Sequence, residues 1–147
     1  AMNLYEATMG DDARSVKVGS QMLPVPADVH AARPGLARYG GKKVVLGVRP
    51  EHLPAAHDGA TGPTLVGNVD LIEALGSELV IHFTIDAARV QPEGVTTADE
   101  DATAKAGEGV ARVDPTTKVK VGERITFAVN TEGMQFFDME TEQAIWD

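Results

Sequence analysis

Leu65-Val66-Gly67-Asn68-Val69-Asp70-Leu71 and Leu79-Val80-Ile81-His82-Phe83-Thr84-Ile85 carry the reading that decides the fold. In the first stretch Leu65, Gly67, Val69 and Leu71 recur at every second position. In the second, Leu79, Ile81, Phe83 and Ile85 do the same, with Val80, His82 and Thr84 between them. Successive strand side chains point to opposite sides of a sheet, so this spacing predicts two strands, each with one apolar face. Gly76-Ser77 lies between them and can reverse the chain. A helix over 70–75 competes for the same residues, but the alternation on both flanks favours a long or bulged hairpin.

The same period extends outward. Ser15 to Gly19 alternates polar and apolar residues, and Lys43 to Arg49 sets Val44, Leu46 and Val48 on one face with Val45 and Gly47 on the other. Pro50 removes the next backbone donor and ends that strand, placing Glu51, His52 and Leu53 in a turn. Ala111 to Lys120 carries an interrupted strand signal, and Ile125 to Val129 a clearer one. Phe136-Phe137 and Ala144-Ile145-Trp146 supply apolar anchors for the core. Pro24 and Pro26 shorten any ladder near them, and Pro34-Gly35 limits the segment 27–39 to a short helix before or after Pro34. Many short strands without long helices between them predict an all-β fold, a barrel or sandwich of short antiparallel strands with at most short helices.

A chain of 147 residues suffices for one domain. No apolar run approaches the roughly 18–20 residues of a membrane span, and the opening Ala1 to Tyr5 lacks the pattern of a secretory signal. The formal charge of −9 argues against long-range attraction to phosphate backbones, and hence against a nucleic-acid partner. The absence of cysteine excludes disulfides and thiolate metal sites. From Gln91 to Gly109 the chain turns to Ala, Thr, Gly and acidic residues. That composition predicts a flexible insertion, since it offers little to offset the entropy of ordering.

Four segments then fall in a recognisable order: Met2-Asn3-Leu4; Gly47-Val48-Arg49-Pro50-Glu51-His52; Glu73-Ala74-Leu75-Gly76-Ser77-Glu78; and Phe137-Asp138-Met139-Glu140-Thr141. Together they resemble the C-terminal regulatory domain, the transport-associated oligonucleotide-binding-like domain, of ATP-binding subunits from sugar-importing ABC transporters of the maltose, glycerol-phosphate and trehalose type. The resemblance covers almost the whole chain. It implies an oligonucleotide-binding-like β architecture and a single regulatory domain over 1–147, with the ATPase domain upstream and absent. It implies a regulatory and dimer-forming role, with four kinds of partner: that ATPase domain, a second copy of the subunit, transmembrane permease subunits, and a regulatory protein in some members. ATP and Mg would serve the full-length parent, on the cytoplasmic side of the cell membrane. Gly47, Arg49, Pro50, Glu51, His52, Glu73, Gly76 and Glu78 become signature and interface candidates; Phe137, Asp138 and Thr141 form a structural terminal motif. Glu142 departs from the family's glycine, which puts a left-handed turn there in question.

No catalytic, cofactor-binding or metal set emerges. A phosphate-cradling loop needs Gly-rich spacing followed by Lys and Ser or Thr, and Gly40-Gly41-Lys42-Lys43 lacks both the spacing and the hydroxyl. His52 and His57 have no third ligand and no helical spacing, so structural zinc is not expected. Glu73 and Glu78 flank a turn rather than a substrate pocket. For Arg49 and Glu51 a salt bridge or backbone contact at the strand end competes with a partner contact, and exposed pairs contribute little. Phe83, Phe127, Phe136, Phe137 and Trp146 read as core packing. Two rival functions remain, a metabolite-sensing β-barrel and, less favoured by charge, a nucleic-acid-binding module.

Overall fold

The computed structural model describes residues 2–59, 61–90 and 107–147. Nine strands lie in these residues: β1 (Asn3–Met9), β2 (Ser15–Val18), β3 (Gln21–Pro24), β4 (Lys43–Val48), β5 (Thr64–Ala74), β6 (Leu79–Ile85), β7 (Gly107–Val113), β8 (Arg124–Ala128) and β9 (Gln135–Asp138). Helix α1 (Ala27–Ala32) and 3-10 turns at Pro34–Tyr39, Pro50–His52 and Thr131–Gly133 fill the connections. All strand pairs are antiparallel, in one sheet of order β3-β2-β1-β4-β9 and a second of order β7-β6-β5-β8. Tyr5, Leu46, Ile81, Phe83, Phe127 and Phe136 are buried in one shared core. The result is a β-sandwich with short helices.

The hairpin of β5 and β6 contains a bulge between Val69 and Leu71. One extra residue reverses which side the following residues face. Leu65 and Val69 are therefore buried, whereas Leu71 is exposed and Ile72 takes the inward place against the core. This corrects the expectation that Leu71 continues the apolar face of Leu65. Asp70, at the bulge, accepts a hydrogen bond from the Thr84 hydroxyl at 2.5 Å.

Two further differences have local causes. β7 starts at Gly107, ahead of the expected Ala111, because its inward residues Gly107, Gly109 and Ala111 are too small to register as an apolar pattern. A Cβ at Gly109 would lie 2.1 Å from the Tyr5 hydroxyl and 2.5 Å from the Phe83 ring. Of the insertion expected over 91–109, residues 91–106 lie outside the described residues. Pro24 closes the short strand β3, in keeping with the short ladder expected near it, on an edge strand where a missing donor is tolerated. The sequence reading places Trp146 in the core. Instead it is half exposed, with the Arg33 guanidinium 4.3 Å from its ring centroid, and its carbonyl accepts the Gly35 N–H at 2.8 Å.

Two carboxamides join the sheets. Asn3 of β1, buried, donates to the carbonyls of Val48 (3.0 Å) and Val110 (2.9 Å) and accepts the Val110 N–H at 2.8 Å. It thereby pairs with the edge of β7 as a neighbouring peptide group would. Gln21 of β3 does the same to β5, donating to the Val66 carbonyl (2.8 Å) and accepting the Val66 N–H (2.7 Å), beyond the point where β6 pairing stops at Asn68. The Tyr5 hydroxyl adds a bond to the Glu108 carbonyl at 3.2 Å. Removing either carboxamide strands a donor and an acceptor at the join. Asn3→Ala and Gln21→Ala are each expected to lower stability by roughly 1–3 kcal/mol in urea unfolding, the larger loss at the more buried Asn3.

Candidate functional site

Strand β4 gathers segments that are far apart in the chain. Its Gly47 lies where a Cβ would be 2.3 Å from the Met2 sulfur and 3.1 Å from the Phe137 ring, so any side chain there would displace Met2 and crowd Phe137, where the first and last signature segments come together. β9 runs beside β4 with Leu46 opposite Phe136 and Gly47 opposite Gln135. Asn3 reaches the Val48 carbonyl from the other side.

Past β4, Pro50 opens a 3-10 turn that the His52 N–H closes on the Arg49 carbonyl at 2.9 Å. The local ion pair considered for Arg49 and Glu51 does not form; the ion pairs among the described residues are Lys43–Glu6, His82–Glu73 and Arg112–Glu78. Backbone hydrogen bonding holds the turn without it. The Glu51 carboxyl is held below its usual range first by its own backbone N–H, with the charges of His52, Arg112 and Arg49 adding to it. The His52 ring lies against Gly133, where a Cβ would be 2.2 Å from Nδ1, and its carbonyl accepts the Asn130 N–H at 3.1 Å. His52 Nδ1 and His30 Nε2 are buried without hydrogen-bond partners.

The Pro50–His52 turn packs on β7, and there the hairpin signature meets it. The hairpin closes through the Leu75 N–H to the Glu78 carbonyl at 2.9 Å, with Gly76 at φ +83°. Glu73 meets His82 at 2.6 Å, and Glu78 takes Arg112 through two bonds of 2.7 and 3.0 Å. The Arg112 guanidinium is pushed up first by its bond to Glu78, and the Glu51 carboxylate contributes. Arg112 thus relates the second and third signature segments. The sequence reading missed it, because an exposed cation in an interrupted strand carries no signal of its partners.

The terminal motif is a hydrogen-bonded turn. Asp138 Oδ1 accepts the N–H groups of Glu140 and Thr141, both at 2.8 Å, and Oδ2 accepts the Tyr39 hydroxyl at 2.7 Å. These donors, led by the Tyr39 hydroxyl, bring its carboxyl down to about 2. Thr141 Oγ1 accepts the Gln143 N–H at 3.3 Å. Glu142 adopts φ +62°, so the left-handed turn questioned above is made without glycine.

Chemically, the assembled residues offer a patterned surface of exposed pairs rather than an enclosed reactive pocket. Among the described residues no three His, Asp or Glu side chains group as a metal site, and no helix is long and apolar enough to cross a membrane.

Comparison with known proteins agrees with this arrangement. Residues 1–53 match the MalK OB fold domain and residues 46–137 match the TOBE domain. The chain belongs to the TOBE domain family. It is similar to the sn-glycerol-3-phosphate import ATP-binding protein UgpC of Chromobacterium violaceum, 30% identical over 98% of this chain and 32% of that protein. It is also similar to the oligosaccharides import ATP-binding protein MsmX of Bacillus subtilis, 28% identical over 99% of this chain and 34% of that protein. The trehalose import ATP-binding protein SugC of Mycobacterium tuberculosis is 27% identical over 96% of this chain and 37% of its own length. The chain spans about a third of the length of these curated relatives.

Two outcomes are expected at these turns. A carboxylate whose folded pKa is depressed stabilises above its unfolded value and loses that contribution as pH falls through the folded one. The Asp138 contribution should therefore vanish between about pH 4 and its folded value of about 2, and Asp138→Asn should show a flatter acid-unfolding curve across that window. At the His52 contact, Gly133→Ala should destabilise the fold, and the same change in a His52→Ala background should cost markedly less, as a double-mutant cycle in urea would read.

Proposed function

We propose that the chain is the non-catalytic C-terminal regulatory and dimerisation domain of an ATP-binding subunit that powers ABC-type carbohydrate import, of the maltose, glycerol-phosphate and trehalose class. The observation carrying this is the overlap of the two family matches on residues 46–53, the end of β4 and its following turn, where the signature segments meet. The relatives' names support the import of carbohydrates and related polyol phosphates.

In this reading residues 1–147 form one regulatory domain, with an insertion in the β6–β7 connection and an ATPase domain upstream that uses ATP and Mg. The sandwich is a variant of the oligonucleotide-binding-like barrel. Two joints support that view: Val90 and Ala88 bond to Leu4 and Glu6 of β1, and Pro54 and Ala56 bond to Ala128 and Thr126 of β8. The partners are the ATPase domain, a second copy of the subunit and the permease subunits, at the cytoplasmic face of the membrane, with a regulatory protein as a further partner. The interface candidates are Arg49, Pro50, Glu51 and His52 in one turn and Glu73, Gly76 and Glu78 in the hairpin. The domain's work is to bias closure of the ATPase pair through contacts that differ between two arrangements.

Deleting this domain from the full-length parent is expected to alter assembly of the subunit pair or its regulatory response. Unchanged transport, dimerisation and regulation would refute the assignment.

A further inference from the structure

The outer strands of this fold are mostly protected. β9 is bridged by Ala144, β8 by Ala55, and β7 is met by the side chains of Asn3 and Tyr5. β5 is different at its far end. Its pairing with β8 stops at Asn68 opposite Arg124, and Val69 is then taken by Glu123 and Gly122. From Leu71 to Ala74, among the described residues, the strand is paired on the β6 side alone. A strand edge with free main-chain groups is a template for another strand.

The side chains along this edge have a pattern. Leu71 faces His82 and Glu73 faces Val80 across the hairpin, so both stand on the outer side of the sheet, and Leu75 continues that parity. Leu71 is 51% exposed, Leu75 57%, and Val121, adjoining the edge through Gly122, 59%. The row Leu-x-Glu-x-Leu is thus apolar, acidic, apolar, with Asp70 adding a second carboxylate at the bulge. A second copy is a poor occupant. Edge-to-edge pairing would lay Asp70 and Glu73 of one copy along the same acidic stretch of the other, and like charges across strands destabilise the pair.

We propose that the free edge of β5 at 71–74 receives an extended segment of a partner protein, one that sets a Lys or Arg between two apolar residues at alternate positions. The main chain of that segment extends the four-stranded sheet, its cation meets the Glu73 carboxylate, whose Oε1 is already held by His82, and its apolar side chains cover Leu71 and Leu75. This surface follows from the strand edge itself and stands whether or not the parent is a carbohydrate importer.

The test is an NMR titration of the 147-residue chain with two capped heptapeptides, Thr-Val-Thr-Lys-Thr-Val-Thr and its counterpart with Glu in place of Lys. The Lys peptide is expected to shift and protect amides within 71–74 and to bind roughly three- to tenfold more tightly than the Glu peptide. Leu71→Lys should abolish binding, and Glu73→Lys should reverse the preference, each with a native circular dichroism spectrum. A Lys peptide N-methylated at alternate residues should fail to bind. The proposal is overturned by no perturbation at millimolar Lys peptide, by shifts mapping to β3 or β9 instead, or by equal affinity of the two peptides. Concentration-dependent protection of 71–74 without peptide would equally overturn it, assigning the edge to a second copy.

Discussion

The sandwich depends on how two sheets meet without leaving main-chain groups stranded between them. At Val110 in the middle of β7 and at Val66 near the start of β5, strand edges meet the opposite sheet where no strand pairs with them. Buried amide groups there would be costly if left without partners. Asn3 and Gln21 supply what a strand would have supplied, since a carboxamide carries the same donor and acceptor as a peptide unit. Tyr5 follows the same line of contact, its hydroxyl on the Glu108 carbonyl, and burial pushes its phenol further from ionisation. The side chains of one sheet thereby complete the backbone ladder of the other.

That junction explains why the signature segments lie together. Asn3 bonds to the last residue of β4 as well as to β7, so the first strand, the central strand and the β7 edge are placed by one side chain. Gly47 then admits Met2 and Phe137, and the Pro50–His52 turn comes to rest on β7 near Arg112. Glu78 of the hairpin binds that guanidinium and the Glu51 charge of the turn acts on it, while Glu73 pairs with His82. Their mutual attraction is weak in water, so they are better regarded as a surface pattern than as a source of stability.

Much of the fold was legible in the sequence because most strands bury one face and show it as alternation. β4, β6 and β8 could be read from Val44, Leu46 and Val48, from Ile81 and Phe83, and from Ile125 and Phe127. The bulge at Asp70 could not, since Leu71 has the same period as Leu65 and only the register with β6 reveals the reversal. Nor could the start of β7, where Gly109 makes room for Tyr5 and Phe83 and Gly107 for the carbonyls of Ile85 and Ala87, all arriving from elsewhere in the chain. The signature residues were visible as motifs, yet their reasons were not. Arg112, Gln21 and Tyr39 act through partners 34, 45 and 99 positions away, and nothing local marks such pairings. Glu142 shows the converse: a turn geometry ordinarily marked by glycine is imposed here by the hydrogen bonds around Asp138.

The placement of Trp146 has a consequence for how this molecule can be observed. It is the only tryptophan in the chain, and it sits at the surface beneath Arg33 instead of among the buried aromatics. Its fluorescence therefore reports whether the final residues are seated against the Pro34–Tyr39 turn. Release of that segment and loss of the core can be told apart by following the far-ultraviolet signal of the strands alongside the emission.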